Sequence, residues 1–260
     1  MITSFLELLR YRGLLWNLIL RDIRIRYKQA FLGVGWAIFQ PLCLMLIFTF
    51  AFSKVGKVQT GSIPYPLFVF SGLVPWQFFQ LGLATATGSL VQNMSLVTKI
   101  YSPRKIFPLA AMLSKLLDFL VGLVALMVLM IYFGIPFHAT ILWLPFLLGV
   151  QLVFMSGLGL LAAMGNLFFR DVGYIINTLL MFWMFATPVA YPLPAHGGLS
   201  LALFYLNPLT PIVDAYRSVL LYGVAPAWKE LLPSAFISLT ILVLGWYWFE
   251  RLQYLFAERI

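Results

Sequence analysis

The chain has 260 residues, of which 62% are hydrophobic and only 10% are charged, and its mean hydropathy is +0.96. A soluble domain carries about a quarter of charged residues, and a chain this apolar cannot hide its nonpolar surface in one aqueous core. The composition therefore excludes a soluble globular protein and predicts an all-α integral membrane protein, with lipid as its solvent. The net charge of +9 is interpreted as a topology signal, and no nucleic-acid partner is expected.

The stretch before the first apolar run is predicted to form an amphipathic helix in the membrane surface. Ser4 and Glu7 match the S-x-x-E capping box that begins a helix. At helical spacing the apolar side chains share one face and most basic side chains fall away from it, as in interfacial helices. Arg12 and Arg26 break this pattern, and a bend is predicted near Gly13. Such a helix is either a topology anchor alone or a platform for a cytoplasmic partner.

Six apolar runs have roughly 17 residues or more, the length that crosses about 30 Å of hydrocarbon. They are residues 33–53, 66–90, 106–134, 141–168, 174–190 and 230–249. With the N-terminus in the cytoplasm, the inner segments hold twelve Lys and Arg residues and the outer segments hold four. Because basic loops are retained in the cytoplasm, both termini are predicted to be cytoplasmic.

Residues 191–229 are apolar but are repeatedly interrupted by proline and glycine. Backbone groups freed by such breaks cannot face lipid, although they can line a cavity or belong to a re-entrant pair of helices. The sequence LNPLTPIVDAYRSVLLYG (206–223) predicts one short helix that begins near Pro211, with Asp214 and Arg217 paired at i,i+3. We interpret the region as re-entrant on the outer side, with an ordinary outer loop as the alternative.

No catalytic or metal site can be assembled from the sequence. The chain offers eight carboxylates and two histidines, without a metal-ligand spacing, a Gly-rich phosphate loop or a Ser–His–Asp set. Lys115 and Asp118 lie three residues apart in the third run and are predicted to neutralise each other, a proton or ion relay being the alternative. We expect a non-enzymatic chain with no metal and no cofactor of its own, driven by energy from another chain.

Aromatic residues make up 17% of the chain. Many lie near the predicted ends of spans, where they form interfacial belts, but Trp76 and Trp183 lie nearer the middle. Aromatic faces can stack on sugar rings without requiring one specific ligand. A sugar-conducting path is therefore predicted, beside the alternative that these rings only pack helices. The candidate path residues are Trp76, Phe78, Phe79, Phe182, Trp183 and Phe185.

Residues 21–42, RDIRIRYKQAFLGVGWAIFQPL, resemble the start of the type-2 ABC exporter permeases, in particular those that export O-antigen, capsule and teichoic-acid chains. The family pattern is R-D-[LI]-x-x-R-Y-[KR]-x-[STA]-x-L-G-x-x-W, followed by an apolar helix with Q-P. Residues 71–80, 166–177 and 207–221 also resemble their counterparts, so the match covers nearly the whole chain. The residues that fit the first pattern are Arg21, Asp22, Arg26, Tyr27, Lys28, Leu32, Gly33, Trp36, Gln40 and Pro41.

The resemblance implies the membrane subunit of an ATP-driven exporter of lipid-linked polysaccharide in the bacterial inner membrane. Such a subunit works as a homodimer with two separate ATPase subunits, which bind the ATP and Mg. The segment 91–107 corresponds to the cytoplasmic coupling helix that docks on the ATPase. Its candidate contacts are Lys99, Tyr101, Arg104 and Lys105.

The resemblance also implies one six-span transmembrane domain over residues 1–260, with residues 1–31 as its interface helix. Spans one, two and five would line the path, and the re-entrant pair would form an outer gate that includes Asp214 and Arg217. The basic residues of the opening motif would attract the diphosphate of a lipid carrier, as arginine clusters do for phosphates. They are Arg21, Arg24, Arg26 and Lys28.

Two other functions were weighed. The same fold would also suit export of a small amphipathic drug or lipid, since aromatic-rich paths fit both substrates. An intramembrane transferase is disfavoured because the sequence lacks an acid–base set.

Overall fold

The computed structural model describes residues 7–28, 31–55, 60–61, 63–99, 102–193 and 204–255. Within these ranges the regular structure is helical and no strand occurs, which confirms the all-α prediction. Five of the described helices are long and apolar enough to cross a membrane. They are Gly33–Phe52, Tyr65–Gln92, Ile106–Tyr132, Ala139–Phe168 and Trp228–Leu252.

The predicted sixth run, residues 174–190, corresponds to a shorter apolar helix, Asp171–Ala186. In chain order the α-helices are α1 (Arg12–Tyr27), α2 (Trp36–Phe48), α3 (Tyr65–Gln92), α4 (Met94–Lys99), α5 (Ile106–Leu113), α6 (Leu116–Tyr132), α7 (Leu144–Phe168), α8 (Asp171–Ala186), α9 (Leu209–Arg217) and α10 (Trp228–Leu252).

The interface helix α1 is preceded by a helical segment at residues 7–10 and a turn at Tyr11, two residues before the bend predicted at Gly13. Ser4 of the predicted capping box lies outside the described residues. Helix α1 packs against α5 and buries Leu18 and Ile19. It therefore joins the bundle directly rather than only touching lipid.

Helix α3 is the centre of the bundle. It packs against α2, α5, α6, α7, α8 and α9, and most of its side chains are buried. The third span is interrupted at Ser114 and Lys115, which separate α5 from α6.

Helices α7 and α10 form a close pair because two glycines face each other. A Cβ on Gly245 would lie 2.5 Å from the carbonyl oxygen of Gly157, and a Cβ on Gly157 would lie 2.6 Å from the backbone of Ile241. No larger side chain fits at either position without moving a helix.

Helix α9 continues into a π-helical turn, Ser218–Tyr222, and packs against α3, α7 and α10. Gly223 ends this turn with a φ of +64°, a conformation that glycine adopts without strain. The hydroxyl of Thr140 donates to the carbonyl of Val219 at 2.7 Å. The turn is thereby capped from the connection between the third and fourth spans.

Candidate functional site

The C-terminal end of α1 is anchored to the third span by two side chains. Arg26 forms an ion pair with Asp118, with 2.9 Å between Nη1 and Oδ2, and the Tyr27 hydroxyl donates to Oδ1 of the same carboxylate. Burial raises the pKa of Tyr27 above its usual range, and the hydrogen bond to Asp118 raises it further. Tyr27 therefore stays a donor at neutral pH. Arg26 breaks the amphipathic pattern because it points into the bundle.

This anchor corrects the predicted pairing of Lys115 with Asp118. The carboxylate is bound by α1, and the side chains of Lys115 and Asp118 do not come within ion-pairing distance. Lys115 is only 7% exposed and faces the space between α1, α3 and the break in the third span. The i,i+3 spacing suggested Lys115 as the partner of Asp118, but Arg26 and Tyr27 of α1 bind this carboxylate instead.

The four basic residues of the opening motif fall into two groups. Arg21 and Arg26 are partly buried, and Arg21 pairs with the adjacent Asp22 at 2.7 Å. Arg24 and Lys28 are exposed. The role of all four residues toward lipid phosphate stays a prediction. Only Arg21 and Arg26 lie beside the third span.

The predicted coupling segment 91–107 is tied to the C-terminal helix. Lys105 is 2% exposed, and its Nζ lies 2.6 Å from the Glu250 carboxylate and 4.2 Å from the ring centroid of Trp246. Burial lowers the pKa of Lys105, and the hydrogen bond to Glu250 opposes this by stabilising the ammonium. Lys105 thus joins the start of the third span to the end of α10.

Arg104 also reaches the C-terminal region, because Nη1 donates to the carbonyl oxygen of Gln253. Tyr101 lies outside the described residues, as does the side chain of Lys99. The ATPase contacts therefore stay predictions. The structure adds that Lys105 faces inward, where it holds this segment against α10.

Three of the predicted path aromatics are enclosed by the chain itself. Trp76 and Phe79 have no exposed surface and Phe78 is 2% exposed. Phe79 stacks on Phe154 with 5.6 Å between ring centroids, and Trp76 contacts Phe79 at 5.6 Å. A ring enclosed on all sides cannot stack on a sugar in this conformation. Its contacts support packing between α3 and α7.

The other three path aromatics lie on α8. Phe182 and Phe185 are 69% and 63% exposed. Trp183 is partly buried, donates its indole N–H to Asn207 Oδ1 at 2.9 Å and meets the Phe79 ring edge-on at 5.2 Å. The six predicted residues therefore form a buried group of three, an exposed pair, and a partly buried Trp183 that contacts the buried group, rather than one surface.

At the opposite end of the bundle, Arg217 is buried against backbone. It is 2% exposed, and its Nη1 and Nη2 donate to the carbonyl oxygens of Pro188 and Val189 at 2.6 Å and 2.5 Å. The guanidinium carbon lies 3.9 Å from the ring centroid of Phe68. The predicted ion pair with Asp214 is not formed, because the guanidinium is turned toward these carbonyls.

The carbonyls that Arg217 binds belong to a buried, non-helical segment, residues 187–190, directly after α8. The Tyr65 hydroxyl donates to the carbonyl of Ala190 at 2.6 Å, and Asn207 Nδ2 donates to Thr187 Oγ1 at 2.8 Å. Irregular backbone at membrane depth persists only where protein groups satisfy it. This network explains how α8 can end as early as it does.

Gly72 makes the close approach of Arg217 possible. A Cβ at this position would lie 2.5 Å from Arg217 Nη2 and 3.0 Å from the Val189 carbonyl oxygen. Sequence reasoning missed Gly72, and a glycine inside a bulky apolar span was the available signal. It also missed Glu250, which had no local signal. In the part of the chain that the structure describes, no three His, Cys, Asp or Glu residues could hold a metal ion.

Comparison with known proteins finds one family and several relatives whose names all refer to transport or export. The pattern of the ABC-2 type transporter family matches residues 13–221. The O-antigen export system permease protein RfbA of Myxococcus xanthus is 32% identical over all of both chains. A Klebsiella pneumoniae protein of the same name is 27% identical over 92% of this chain and 91% of its own. The polysialic acid transport protein KpsM of Escherichia coli is 24% identical, covering 88% and 89%.

Proposed function

The chain belongs to the ABC-2 type transporter family, and on this premise we propose that it is the membrane-spanning subunit of an ATP-driven exporter of lipid-linked, O-antigen-like polysaccharide. The observation that carries the proposal is the similarity to an O-antigen export permease over the full length of both chains. Export of a small amphipathic drug or lipid lacks comparable support, since the relatives compared above are named for O-antigen or polysialic acid.

The energy source in this proposal is a separate ATPase. A permease of this family works with an ATP-binding partner, and the sequence itself offers no phosphate-binding loop. We propose two copies of this chain and two ATPase subunits, which hold the ATP and Mg. Segment 91–107 would dock on the ATPase, because it lies at the same end of the bundle as the basic helix α1.

In the proposed topology, the chain crosses the bacterial inner membrane six times with both termini in the cytoplasm. Helix α8 has 16 residues and spans about 24 Å, which is short of the ~30 Å hydrocarbon layer. The buried segment 187–190 follows directly as a turn in which the Val189 N–H donates to the Thr187 carbonyl at 2.7 Å, and α8 and this segment together would form the fifth crossing. Buried α9 and its π-helical turn fit a re-entrant outer gate within residues 191–229, of which 194–203 lie outside the described residues.

The aromatic path is proposed to use α8 rather than α3. Phe182 and Phe185 have free faces for weak stacking on successive sugars, whereas Trp76, Phe78 and Phe79 shape the packing beneath them. Replacing Phe182 by Ala should reduce export at matched membrane levels, and replacing it by Tyr should preserve export.

The control for this path is the tryptophan pair Trp143 and Trp228, whose rings meet at 5.0 Å and are partly exposed at the ends of their helices. Alanine at either position should lower export less than Phe182→Ala. Equal loss in Phe182→Ala and Phe182→Tyr would mean that ring stacking is not what matters there.

The proposed function is tested by deleting the gene in its source bacterium. Surface polysaccharide should disappear, and lipid-linked polymer should accumulate on the cytoplasmic side, with recovery on complementation. The purified chain should show no ATPase activity until the partner ATPase is added. Undiminished surface polysaccharide in the deletion strain would contradict the proposal.

A further inference from the structure

A polar cleft of about 520 Å³ opens between α1, the end of α3 and the break in the third span. Its walls carry three cations and one carboxylate, together with short polar side chains. The residues that matter here are Arg21, Asp22, Arg26, Ser89, Asn93 and Lys115. The cleft lies at the end of the bundle where α1 would meet lipid headgroups.

Lys115 is the cation of this cleft that lacks a protein counterion. Arg21 is paired with Asp22 and Arg26 with Asp118, but no described carboxylate lies within ion-pairing distance of Lys115. The ammonium is nevertheless on a side chain that is only 7% exposed. Burying a cation without a counterion carries a large desolvation cost. An anion bound in the cleft would offset this cost for Lys115.

No hydrogen bond joins the Lys115 ammonium to another described residue, and the neighbouring polar side chains bond to backbone carbonyls. Ser89 donates to the Ala86 carbonyl at 2.6 Å, and Ser114 donates to the Ala111 carbonyl at 2.7 Å. Asn93 Nδ2 donates to the Ser89 carbonyl at 2.8 Å. These bonds fix the orientation of the polar side chains in the wall, and Lys115 lines the open volume beside them.

The cleft has a net positive charge. Arg21, Arg26 and Lys115 contribute three positive charges, Asp22 contributes one negative charge, and Asp118 behind Arg26 contributes another. The sum is +1, which matches one phosphodiester or one phosphate of a diphosphate. Arginine and lysine donors of this kind bind phosphate oxygens through short, charge-assisted hydrogen bonds.

We propose that this cleft binds the phosphate group of a lipid, with Lys115 as its central ligand and Arg21 and Arg26 at its edge. Arg24 and Lys28 lie along a different surface of α1, away from Lys115. Two lipids carry the required group: an anionic phospholipid of the membrane, or the diphosphate carrier of the export substrate. The second source rests on the proposed function, whereas the first does not.

The experiment measures lipid binding to the full, delipidated chain in detergent by native mass spectrometry. The probes are a polyprenyl diphosphate against the matching polyprenol, and phosphatidylglycerol against diacylglycerol. Wild type should prefer the phosphate-bearing member of at least one pair. Lys115→Gln should weaken that binding about tenfold or more, and Lys115→Arg should restore most of it. Arg170→Gln, at an exposed cation outside the cleft, is the control that should bind as wild type does.

The thermal unfolding midpoint of each lipid-free variant separates binding from folding. Removing an uncompensated buried charge should leave the midpoint of Lys115→Gln unchanged or higher. Binding of phosphatidylglycerol alone would assign the cleft to a membrane lipid and leave the proposed export function untouched. The site is overturned if wild type retains both members of each pair equally, or if Lys115→Gln and Arg170→Gln lose binding to the same extent.

Discussion

The two ends of the bundle hold their helices together by different chemistry. At the end with α1, which we call the interface end, cations pair with carboxylates: Arg26 with Asp118 and Lys105 with Glu250. At the end with α9, the far end, the buried Arg217 donates to two backbone carbonyls. An ion pair depends mainly on opposite charge, whereas a carbonyl pair depends on the planar fork of the guanidinium. The ends should therefore respond to opposite kinds of substitution.

The largest effect is expected at Lys105. Lys105→Glu places two carboxylates together in a buried position and should cost about 3–5 kcal/mol in the free energy of unfolding. The double variant Lys105→Glu with Glu250→Lys should recover most of this loss, because it restores an ion pair. Unfolding in SDS titrations measures the stability of the single and of the double variant. Arg170→Glu, at an exposed site, is the control.

The same double variant also separates two ways of losing export. If Lys105 acts through the position of α10, export should return together with stability. A stable double variant that still fails to export would place Lys105 in direct contact with the ATPase, as the sequence predicts.

At the far end, Arg217→Lys should lower the free energy of unfolding although the positive charge is kept. A lysine cannot reach two carbonyls with a planar fork, so at least one buried carbonyl loses its donor, at a cost of about 1–3 kcal/mol. A stability of Arg217→Lys equal to wild type would show that charge alone suffices and would remove the distinction between the ends. Arg170→Lys is the exposed control.

A smaller loss is expected from added volume beside Arg217. Gly72→Ala should cost about 1–2 kcal/mol, because its Cβ would overlap Arg217 Nη2 at 2.5 Å and overpacking is unfavourable. Gly149→Ala is the matched control, since its Cβ meets no other atom within 4 Å. Equal stability of the two variants would show that the packing around Arg217 can accommodate an added methyl group.

The smallest effect is expected at Asp118. Asp118→Asn should cost about 1 kcal/mol, because Arg26 is partly exposed and can turn toward water. Charge reversal of both residues, Arg26→Asp with Asp118→Arg, should recover part of the loss. Raised salt should weaken the wild-type pair and leave the Arg217 contacts unchanged; a salt effect at both ends would contradict the comparison.

Helix positions were largely predictable because each span carries its own signal. Predicted runs 66–90 and 141–168 correspond to Tyr65–Gln92 and Ala139–Phe168, within a few residues at each end. The fifth run was predicted as one helix, but helix α8 ends at Ala186. Apolar composition continues past that point, so hydropathy alone could not locate the change from helix to a non-helical turn.

The polar contacts were the least predictable part. The sequence suggested local partners for Lys115 and Arg217, because i,i+3 and i,i+4 spacings are the pairings that a single helix reveals. Asp118 is instead paired with Arg26 of another helix. Lys115 has no described carboxylate within ion-pairing distance, and Arg217 donates to backbone carbonyls. Arg26 carried a usable signal, since a cation on an otherwise apolar face requires a partner inside the bundle.

The central position of α3 has a consequence for how the chain enters the membrane. Among the five described candidate spans, Tyr65–Gln92 is the least hydrophobic and the most deeply covered by protein. A helix of this kind partitions weakly into lipid by itself and depends on neighbours to cover its polar groups. The translocation machinery should therefore retain it beside the channel until the third and fourth spans have emerged. In nascent chains truncated after α3, residues of α3 should still crosslink to the translocation channel, whereas in chains that reach Phe168 this crosslink should be lost.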